Sequence, residues 1–576
     1  MKTLPKWNKT RTTEKGAVKK RWSGRFRIAL VFPNTYEVGM SNLGMHTLYS
    51  LLNSKEEIVA ERFFVSKGLV SPSKLRSLES NRPASDFDII LFTISFETDY
   101  VNCVKFLHTA NIPIRSHERP DETPLILAGG VATFINPEPL APFVDAFLIG
   151  EFEAIVQPFV EQLPFLADQS ACRGDKLRCL ASKVPGTYVP AGYKVHYSED
   201  QSYESHEPIE SIFPAKIKPA KLTIPPDTAP HTTILTKDAV FPNTFLIELT
   251  RGCGMGCRFC AAGFVYRPPR VWPFEAVDKA VSKSAKASKI GLIGLEYGSR
   301  PDIERLAELL LKKGKKLGFS SLRADFVSPS FAELMAKSGA KVATIAPEAG
   351  SQRMRNIINK NLNEEEILEG VEKIATAGIP NFKLYFMIGL PFETEDDVSQ
   401  IAYLVRKIHS VVLEHAKGKG SMGTISVSVN QFIPKPWTPF QWSDFTNRKD
   451  IKNRTHLLKG LLSSIPNLKF SLPSYREAML QALLSRGDRL MSKIVESMGL
   501  YGFSLNRALK ESSLSAEKYL KGRQLEAQSP WEIIAHPVKK EFLMHEWRKA
   551  SRQKCTPPCN IGRCRRCDAC SLFMNS

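Results

Sequence analysis

Three cysteines with close, regular spacing are the residues most suited to chemistry in this chain. Cys253, Cys257 and Cys260 lie in the segment RGCGMGCRFCAAGF, directly after the apolar strand TFLIELT (244–250). The spacing C-x3-C-x2-C lets one loop wrap a corner of a [4Fe–4S] cubane, with glycines supplying a permissive backbone. A structural zinc site requires four closed ligands, and this loop offers only three. The loop therefore predicts a cluster with one open iron. A zinc knuckle with a distant fourth ligand is the alternative.

A second group of cysteines lies close to the C-terminus, in the segment CTPPCNIGRCRRCDAC. Its members are Cys555, Cys559, Cys564, Cys567 and Cys570. Four of them can close a tetrahedral zinc site or ligate an auxiliary iron–sulfur cluster, and the sequence does not decide between the two. Arg563, Arg565 and Arg566 would offset the thiolate charge in either case. A tail without metal is the third interpretation.

The cysteine distribution also indicates the compartment. The chain has eleven cysteines, an odd number that falls mostly in these two clusters. Such a pattern favours metal sites in a reducing compartment over a disulfide framework, and Cys103, Cys172 and Cys179 are expected to be ordinary thiols. The N-terminus lacks a secretion-signal pattern, and the apolar runs are too short to span a bilayer. We therefore expect a cytoplasmic protein without membrane contact.

Charge is concentrated at the N-terminus. The formal net charge is +20, and the first 27 residues contain ten Lys or Arg and one acid, Glu14. This basic arm (1–26) can contact nucleic acid or an acidic partner, or can be a solvated terminus. With 576 residues, 43% hydrophobic and 24% charged, the chain is long enough for several globular domains.

Residues 27–190 alternate apolar strands with helical patterns, which predicts an α/β fold with a doubly wound parallel sheet. Such sheets bind ligands at the carboxyl ends of their strands. The corresponding loops here are NTYEVG (34–39), SFET (95–98), GGVAT (129–133) and GEFE (150–153). Tight turns without a ligand are the alternative. Residues 191–242, rich in Pro, Ser and Thr, are predicted to be a linker.

A second strand–helix alternation occupies residues 243–460 and predicts a full or partial (β/α) barrel. The active site of such a barrel lies at the carboxyl ends of its strands, where the cysteine loop begins. Residues 461–550 are predicted to be a helical C-terminal domain, followed by the Cys-rich tail (551–576).

Residues 243–440 resemble the radical S-adenosylmethionine (SAM) core domain, which carries the same three-cysteine loop on a barrel. The resemblance implies that the open iron binds the amino and carboxylate groups of SAM and that an electron from the cluster produces a 5′-deoxyadenosyl radical. It places Phe259 near the adenine. It also assigns a SAM-binding role to Glu296 in GLEYGS (294–299), although that segment departs from the Gly-Gly-Glu form usual in the family.

Two later segments extend the resemblance. APEAGSQRMRNIINK (346–360) contains Glu348, Ser351 and Arg355, a carboxylate, hydroxyl and guanidinium set that the family uses to hold the SAM carboxylate and ribose. Arg355 taken alone can equally be a surface helix charge. In YFMIGLPFET (385–394), Ile388 and Gly389 match the stretch that flanks the adenine.

The N-terminal sheet resembles the cobalamin-binding domain of B12-dependent radical enzymes, on the GG pair (129–130) and the run D-x-F-L-I-G-E-x-E (145–153). The resemblance implies a cobalamin site formed by the following strand-end residues: Asn34, Thr35, Tyr36, Gly39, Thr93, Ser95, Gly129, Gly130, Gly150 and Glu151. The cobalt-ligating His of D-x-H-x-x-G is absent, because N-T-Y-E-V-G stands in its place. His46 lies too far along the next helix. Either cobalamin binds without a protein axial ligand, or the sheet no longer holds it.

These resemblances imply a radical SAM enzyme, with cobalamin-dependent methylation of an unactivated carbon as the leading interpretation. A flavodoxin or ferredoxin would supply electrons. The enzymatic alternative is cyclisation, rearrangement or modification of RNA or of a cofactor without methyl transfer. The N-terminal sheet lacks the cysteine triad expected of tRNA methylthiotransferases. An iron–sulfur redox sensor is the non-enzymatic alternative. No motif names the substrate.

Overall fold

The structure is a computed structural model. It describes residues 14–65, 75–294, 300–417, 423–561 and 563–570. The predicted α/β fold is confirmed: a parallel sheet is followed by a partial barrel, a helical C-terminal region and the Cys-rich tail.

The N-terminal sheet forms from near-continuous apolar runs, which suit strands buried on both faces. Its strands are β1 (Phe26–Phe32), β2 (Ile58–Phe64), β3 (Ile89–Thr93), β4 (Leu125–Gly129), β5 (Ala146–Leu148) and β6 (Thr187–Tyr188). The strand order is β2-β1-β3-β4-β5-β6, with β6 antiparallel to β5 and the other pairs parallel. The chain reverses its direction of winding between β1 and β3. The loops that follow these two strands therefore open a crevice, where doubly wound sheets bind ligands.

Helices connect these strands. The longer ones are Leu43–Asn53, Tyr100–Thr109, Phe152–Glu161 and Arg173–Lys183. Three shorter helices are Tyr36–Gly39, Val131–Ile135 and Leu163–Ala167. The first long helix begins where the Asn42 side chain accepts a hydrogen bond from the Met45 N–H, a normal N-cap.

The segment predicted to be a linker is structured. It forms an antiparallel hairpin of β7 (Tyr193–Tyr197) and β8 (Tyr203–Pro208). Its later part crosses the end of the N-terminal sheet, where Ala220 pairs with Gly150. Pro, Ser and Thr indicated a loop here, but the alternating aromatic residues of the hairpin were a strand pattern.

The second half of the chain forms an open barrel. Its strands are β9 (Thr244–Glu248), β10 (Thr250–Arg251), β11 (Arg270–Val271), β12 (Lys289–Ile293), β13 (Lys316–Phe319), β14 (Val342–Glu348), β15 (Asn381–Ile388), β16 (Ile425–Gln431) and β17 (Leu468–Ser471). Two parallel sheets, β13-β12-β9 and β14-β15-β16-β17, adjoin through a parallel bridge between Leu322 and Ile345. β10 and β11 form a separate antiparallel pair beside the cysteine loop.

Eight helices follow or connect the strands of this half of the chain within the described residues. They are Ala262–Val265, Phe274–Ser282, Arg300–Lys312, Pro329–Lys337, Gln352–Ile357, Glu364–Thr376, Glu395–Ala416 and Arg448–Leu462. Two of them begin with reciprocal capping boxes, at Asn363 with Glu366 and at Thr394 with Asp397. The helix that begins at Arg300 ends at Lys312, and the lysine-rich run after it becomes β13.

The C-terminal helices are Tyr475–Arg486, Ser492–Tyr501, Leu505–Ser512, Ala516–Leu520 and Lys540–Ser551. They do not start at the predicted boundary of 461, because β17 still pairs with the barrel strand β16. Ile494, Val495 and Trp531 are buried in the same apolar core as β1 and β3. The Asn136 amide donates to the Ser485 and Gly487 carbonyls. These helices therefore complete the core of the N-terminal sheet.

Within the described residues, we find no helix with the length and apolar character needed to cross a bilayer.

Candidate active site between the N-terminal sheet and the barrel

A cavity of about 550 Å³ lies between the N-terminal sheet and the barrel, and we call it the interdomain cavity. Both halves contribute the carboxyl ends of their strands to its wall. Among the wall residues from the N-terminal half are Leu43, Thr47, Leu91, Thr93, Gly129, Gly130, Gly150 and Glu151. Those from the barrel half include Glu248, Arg251, Cys253, Cys257, Phe259, Cys260, Tyr266, Arg323, Glu348 and Lys360. Doubly wound sheets and (β/α) barrels both bind ligands at the carboxyl ends of their strands, and here these two edges face the same cavity.

The loop 252–260, which we call the cluster loop, brings Cys253, Cys257 and Cys260 into the wall of this cavity. Burial raises the pKa of the Cys260 thiol to about 12, and the neighbouring Cys257 and Cys253 raise it as well. Cys260 therefore lies close enough to Cys253 and Cys257 to interact with them electrostatically, and its own thiol needs a cationic ligand to become a thiolate. The wall as described contains no further cysteine and no histidine. This donor set fits a [4Fe–4S] cluster with one open iron.

In the portions of the chain that the structure covers, no three His, Cys, Asp or Glu side chains converge on one point at metal-binding distance.

Glycine allows the cluster loop its tight course. Gly252 has φ +79°, and a Cβ there would lie 2.6 Å from the Tyr266 carbonyl oxygen. The loop presents its residues alternately to two sides: Cys253, Met255 and Cys257 to the interdomain cavity, Gly254 and Gly256 to a smaller cavity behind the loop. The cluster loop is thus a thin partition between two spaces.

Phe259 and Glu348 lie where the resemblance places SAM. Both are in the wall of the interdomain cavity. Glu348 has φ +69°, and burial raises the pKa of its carboxyl group although the Lys360 ammonium, 3.7 Å away, opposes the shift. Lys360 itself also lines the cavity. Glu296, the other predicted SAM-binding acid, lies outside the described residues.

Four other predicted SAM-binding residues lie outside this wall. Ser351 caps the helix Gln352–Ile357, and its hydroxyl donates to the Asp397 carboxylate over 2.6 Å. Arg355 is only 1% exposed and donates to the carbonyls of Leu362 and Gly350. The guanidinium therefore holds the protein's own backbone rather than facing the cavity.

Ile388 and Gly389 end the strand β15. Ile388 is fully buried in the barrel core. The Gly389 N–H donates to the Glu393 carboxylate over 2.7 Å, and its carbonyl accepts from the Thr446 hydroxyl over 3.0 Å. The turn is thus held by side chains of the barrel.

A cluster of charges that sequence reasoning missed joins the two halves in the cavity wall. Arg251 donates to Glu153 and to Glu248, each over 2.8 Å, and to Glu151 over 3.4 Å. Arg270 donates to both carboxylate oxygens of Glu151. Burial alone would raise the pKa of Glu151, but the Arg270 and Arg251 guanidiniums lower it overall. The position of Arg251, at a strand end directly before the cluster loop, was the available sequence signal.

The structure brings half of the predicted cobalamin residues to the cavity. Thr93, Gly129, Gly130, Gly150 and Glu151 are in its wall. The remaining five are Asn34, Thr35, Tyr36, Gly39 and Ser95, and the structure places them outside this wall. The Asn34 amide donates to Asp99 over 2.8 Å, and the Asn42 amide donates to Ser95 over 2.9 Å. These bonds tie together the loops that follow β1 and β3.

At two of the predicted glycine positions, a larger residue would clash with the protein's own backbone. A Cβ at Gly130, which has φ +108°, would lie 2.4 Å from the Ile94 carbonyl oxygen. A Cβ at Gly150, which has φ +129°, would lie 2.2 Å from the Ala220 carbonyl oxygen. The backbone at Ala220 therefore occupies the space beside Gly150 where a ligand was expected to lie.

His46 faces away from the cavity. Its Nε2 lies 3.1 Å from the Met40 carbonyl, and its Nδ1 accepts from the Thr233 N–H over 3.3 Å. Burial lowers its pKa to about 4, so the ring is neutral near pH 7. His46 is therefore a buried helix residue that is bonded to the protein's own backbone.

The tail cysteines divide into two groups. Burial raises the pKa of Cys559 to about 11, and Cys564, Cys570 and Cys567 raise it too, while Arg267 opposes them. Cys555 instead lies beside Arg258 and Glu546, with its thiol 3.9 Å from the Asn356 carbonyl. Four thiols are therefore grouped and the fifth is apart.

Comparison with known families agrees with this geometry. Residues 247–405 match the model of the radical SAM superfamily, and residues 44–190 match the model described as radical SAM proteins, N-terminal. The two segments together span more than half of the chain.

Known proteins similar to the chain include the uncharacterized protein MJ0966 of Methanocaldococcus jannaschii, 28% identical over 88% of this chain and 98% of that protein. The tRNA-2-methylthio-N(6)-dimethylallyladenosine synthase of Pseudothermotoga lettingae is 27% identical over 31% of this chain and 44% of its own length. Among solved structures, the cobalamin-dependent SAM radical enzyme OxsB aligns with a TM-score of 0.42 and 16% identity, over 66% of this chain and 52% of that one.

The cysteine loop at the barrel's strand ends and the two family matches agree. The chain is a member of the radical SAM superfamily.

Proposed function

We propose that the chain is a cobalamin-dependent radical SAM enzyme that methylates an unactivated carbon. One observation supports the proposal above the others. The interdomain cavity runs without interruption from the thiols of the cluster loop to Thr93, Gly129 and Gly130, at the carboxyl edge of the N-terminal sheet. A reaction that needs SAM and a methyl carrier requires both cofactors to face one acceptor, and a shared cavity provides that arrangement.

Bound in this cavity, the [4Fe–4S] cluster and SAM would supply a carbon-centred radical, and cobalamin would supply the methyl group. The residues of the chain hold and shield these groups. Cys253, Cys257 and Cys260 would ligate three irons. Phe259 offers an apolar surface, and the Glu348–Lys360 pair offers a carboxylate and an ammonium for the polar groups of SAM.

The opposite wall suits a large apolar cofactor face. Leu43, Leu48 and Leu91 line it beside the glycine-rich strand ends. With His46 engaged by backbone groups and no histidine in the described wall, cobalamin would bind there without a protein imidazole on cobalt. The ion cluster of Arg251, Glu151 and Arg270 holds the sheet over the barrel.

The test is a product and cofactor assay on the full chain. The protein is purified anaerobically with hydroxocobalamin, reconstituted with iron and sulfide, and incubated with SAM and reduced flavodoxin. We expect corrin absorbance to co-elute with the protein, and both 5′-deoxyadenosine and S-adenosylhomocysteine to form. The matched control is Cys257→Ala, which should form neither product.

Other outcomes contradict parts of the proposal. Absence of corrin absorbance in the purified protein would contradict the proposal that the chain binds cobalamin. 5′-Deoxyadenosine without S-adenosylhomocysteine would indicate radical chemistry other than methylation, such as cyclisation, rearrangement or RNA modification. Neither product would favour a redox sensor.

Radical sulfur insertion is the second candidate, because similar proteins include one named tRNA-2-methylthio-N(6)-dimethylallyladenosine synthase and one named ribosomal protein uS12 methylthiotransferase. Their reaction would require a sulfur source facing the acceptor. Cys559, Cys564 and Cys567 line the smaller cavity behind the cluster loop, whereas the interdomain cavity contains only the thiols of that loop in its described wall. This separation favours methyl transfer over sulfur insertion.

The proposal includes a reducing, cytoplasmic setting, an acidic one-electron carrier such as flavodoxin or ferredoxin, and contact between the basic arm (1–26) and RNA. The two clusters of cysteines and the excess of Lys and Arg over acidic residues support these partners.

A further inference from the structure

We propose that Cys559, Cys564, Cys567 and Cys570 hold a second [4Fe–4S] cluster, behind the cluster loop and outside the interdomain cavity, through which electrons reach the first cluster. The presence of this cluster does not depend on the proposed methyl transfer. Its electron-carrying role rests on the radical function.

The four thiols form one group in the structure. Cys559, Cys564 and Cys567 line the small cavity behind the cluster loop. Cys567 and Cys570 are buried, only 5% and 7% exposed, although they lie near the end of the chain. Cys567 packs in an apolar cluster with Phe264 and Leu543. A segment that buries cysteines in this way packs against the rest of the protein.

Cys555 does not belong to this group. It is exposed, and the residues that act on its thiol are Arg258 and Glu546. The next residue, Thr556, fixes the chain there, because its N–H donates to the Asn359 side chain over 2.7 Å and its hydroxyl donates to Glu546 over 2.7 Å. The tail thus turns after Thr556, which leaves Cys555 on one side of the turn and the other four cysteines on the other.

The spacing of the group favours a cubane over zinc. Cys564, Cys567 and Cys570 form the run C-x2-C-x2-C, the spacing with which ferredoxin-type segments ligate a cubane, and Cys559 supplies the fourth thiolate from upstream. Structural zinc sites usually separate two short pairs of ligands by a longer loop.

Cationic side chains surround the group and offset the charge of four thiolates. The Arg566 Nε donates to the Cys564 sulfur over 3.1 Å. Arg267 lines the same cavity, where its guanidinium also lies over the Phe264 and Phe542 rings. Lys221 donates to the Arg267 carbonyl over 2.7 Å and interacts with Cys567 and Cys570.

The group lies directly behind the first cluster site. The Cys559 N–H donates to the Gly254 carbonyl over 2.7 Å, and Gly254 adjoins Cys253. Gly254 and Gly256 line the small cavity, while their neighbours Cys253 and Cys257 line the large one. One hydrogen bond across the partition therefore links the two thiolate sets, while the tail thiols stay away from SAM and substrate.

The outer side of the tail is basic. Arg563, Arg565 and Arg566 are exposed. Acidic one-electron carriers are steered to such a surface. One electron would pass from the reduced carrier to the tail cluster, which goes from the 2+ to the 1+ state. That electron would then pass to the first cluster, which is reduced in turn as the tail cluster returns to 2+.

The first experiment measures metal in the full chain. The triple variant Cys253→Ala, Cys257→Ala, Cys260→Ala removes the first cluster. After anaerobic reconstitution we expect iron and sulfide equivalent to one cubane in this variant, two in the wild type, and a reduced-cluster EPR signal in the variant. Stoichiometric zinc, or no metal with the chain folded by circular dichroism, would overturn the proposal. These readouts do not involve SAM.

The second experiment tests the ligand set and the role. Cys564→Ser with Cys567→Ser should lose one cubane, whereas the matched control Cys555→Ser should keep both. With dithionite, which reduces exposed and internal clusters directly, the double variant should still form 5′-deoxyadenosine. With reduced flavodoxin its rate should fall by at least about tenfold, a barrier increase of about 1.4 kcal/mol. Equal rates with flavodoxin would overturn the electron-carrying role, and loss of iron in Cys555→Ser would overturn the ligand set.

Discussion

The guanidinium of Arg270, on β11 of the barrel, donates to both carboxylate oxygens of Glu151, which follows β5 of the N-terminal sheet. This bidentate pair joins the two halves beside the interdomain cavity, whose wall includes Glu151, and it is largely shielded from solvent, with side-chain exposures of 17% and 4%. Bidentate pairs fix geometry as well as charge. The pair therefore sets how the two halves face each other.

Removing one partner of this pair should destabilise the docked arrangement. Glu151→Gln leaves Arg270 without its counter-charge, and we expect a loss of about 3 kcal/mol in the free energy of unfolding. Urea unfolding followed by circular dichroism measures it. The matched control is Glu210→Gln, which breaks an exposed bidentate pair with Arg178 and should lose less than about 1 kcal/mol. Equal losses in the two variants would show that the interdomain pair has no special role.

A larger side chain at position 47 should weaken the binding of cobalamin but not the binding of SAM. Thr47 lies on the helix Leu43–Asn53 and lines the part of the cavity wall that comes from the N-terminal half of the chain. We expect Thr47→Phe to weaken cobalamin binding by at least about tenfold, since steric overlap costs about 1–3 kcal/mol, while SAM binding is unchanged. Ser50→Phe, on the exposed side of the same helix, is the control. Equilibrium titration of each ligand tests this, and unchanged corrin affinity would place cobalamin elsewhere.

Arg355 should prove structural. Arg355→Gln removes bonds to the carbonyls of Leu362 and Gly350, and buried acceptors left without donors cost about 1–3 kcal/mol each. We therefore expect a lower unfolding midpoint in urea and an unchanged SAM dissociation constant in the folded fraction. A weaker SAM affinity with normal stability would instead restore the ligand-binding role that the family resemblance implies.

Two buried histidines should make the fold sensitive to acid. Burial lowers the pKa of His46 to about 4 and that of His536 to about 3, both below the ordinary value of 6.5. The unfolded chain therefore takes up these protons first as the pH falls below about 6.5, and stability is lost until the pH reaches the folded pKa. Between pH 7 and pH 5 each histidine should remove about 2 kcal/mol from the free energy of unfolding.

The variant His536→Phe isolates one of these contributions. His536 stacks on Trp437 with ring centroids 4.5 Å apart, and a phenyl ring can keep that contact. The stability lost between pH 7 and pH 5 should shrink by about 2 kcal/mol in this variant. It should not change in His108→Gln, at an exposed helix position. An identical pH dependence in His536→Phe and wild type would contradict the assignment.

The sequence predicted those parts of the fold that depend on local pattern. The strands β1 to β5 follow from apolar runs long enough to be buried on both faces, and the cluster loop follows from three closely spaced thiols. β13 was missed because three of the five residues in the run KKLGF are lysine or glycine, and its pairing with β12 is a tertiary contact.

The candidate site was harder to predict, because its walls come from residues distant in sequence. Arg251, Arg323 and Lys360 reach the cavity only through the docking of separate elements. Conversely, Ser351 and Ile388 lie in segments that match the family, yet the structure uses them as a helix cap and a core residue. A motif identifies a segment, and the fold then decides which way each side chain points.

The shared wall of the interdomain cavity has a consequence for how the protein must be assembled. A polypeptide containing only the barrel would carry all three thiols of the cluster loop. The side of that loop that the N-terminal sheet covers would then be exposed to dissolved oxygen and to solvent. The N-terminal sheet thus forms the wall of the cavity that faces the cluster loop. Splitting the chain between the two halves would yield a barrel that can acquire iron but cannot protect it.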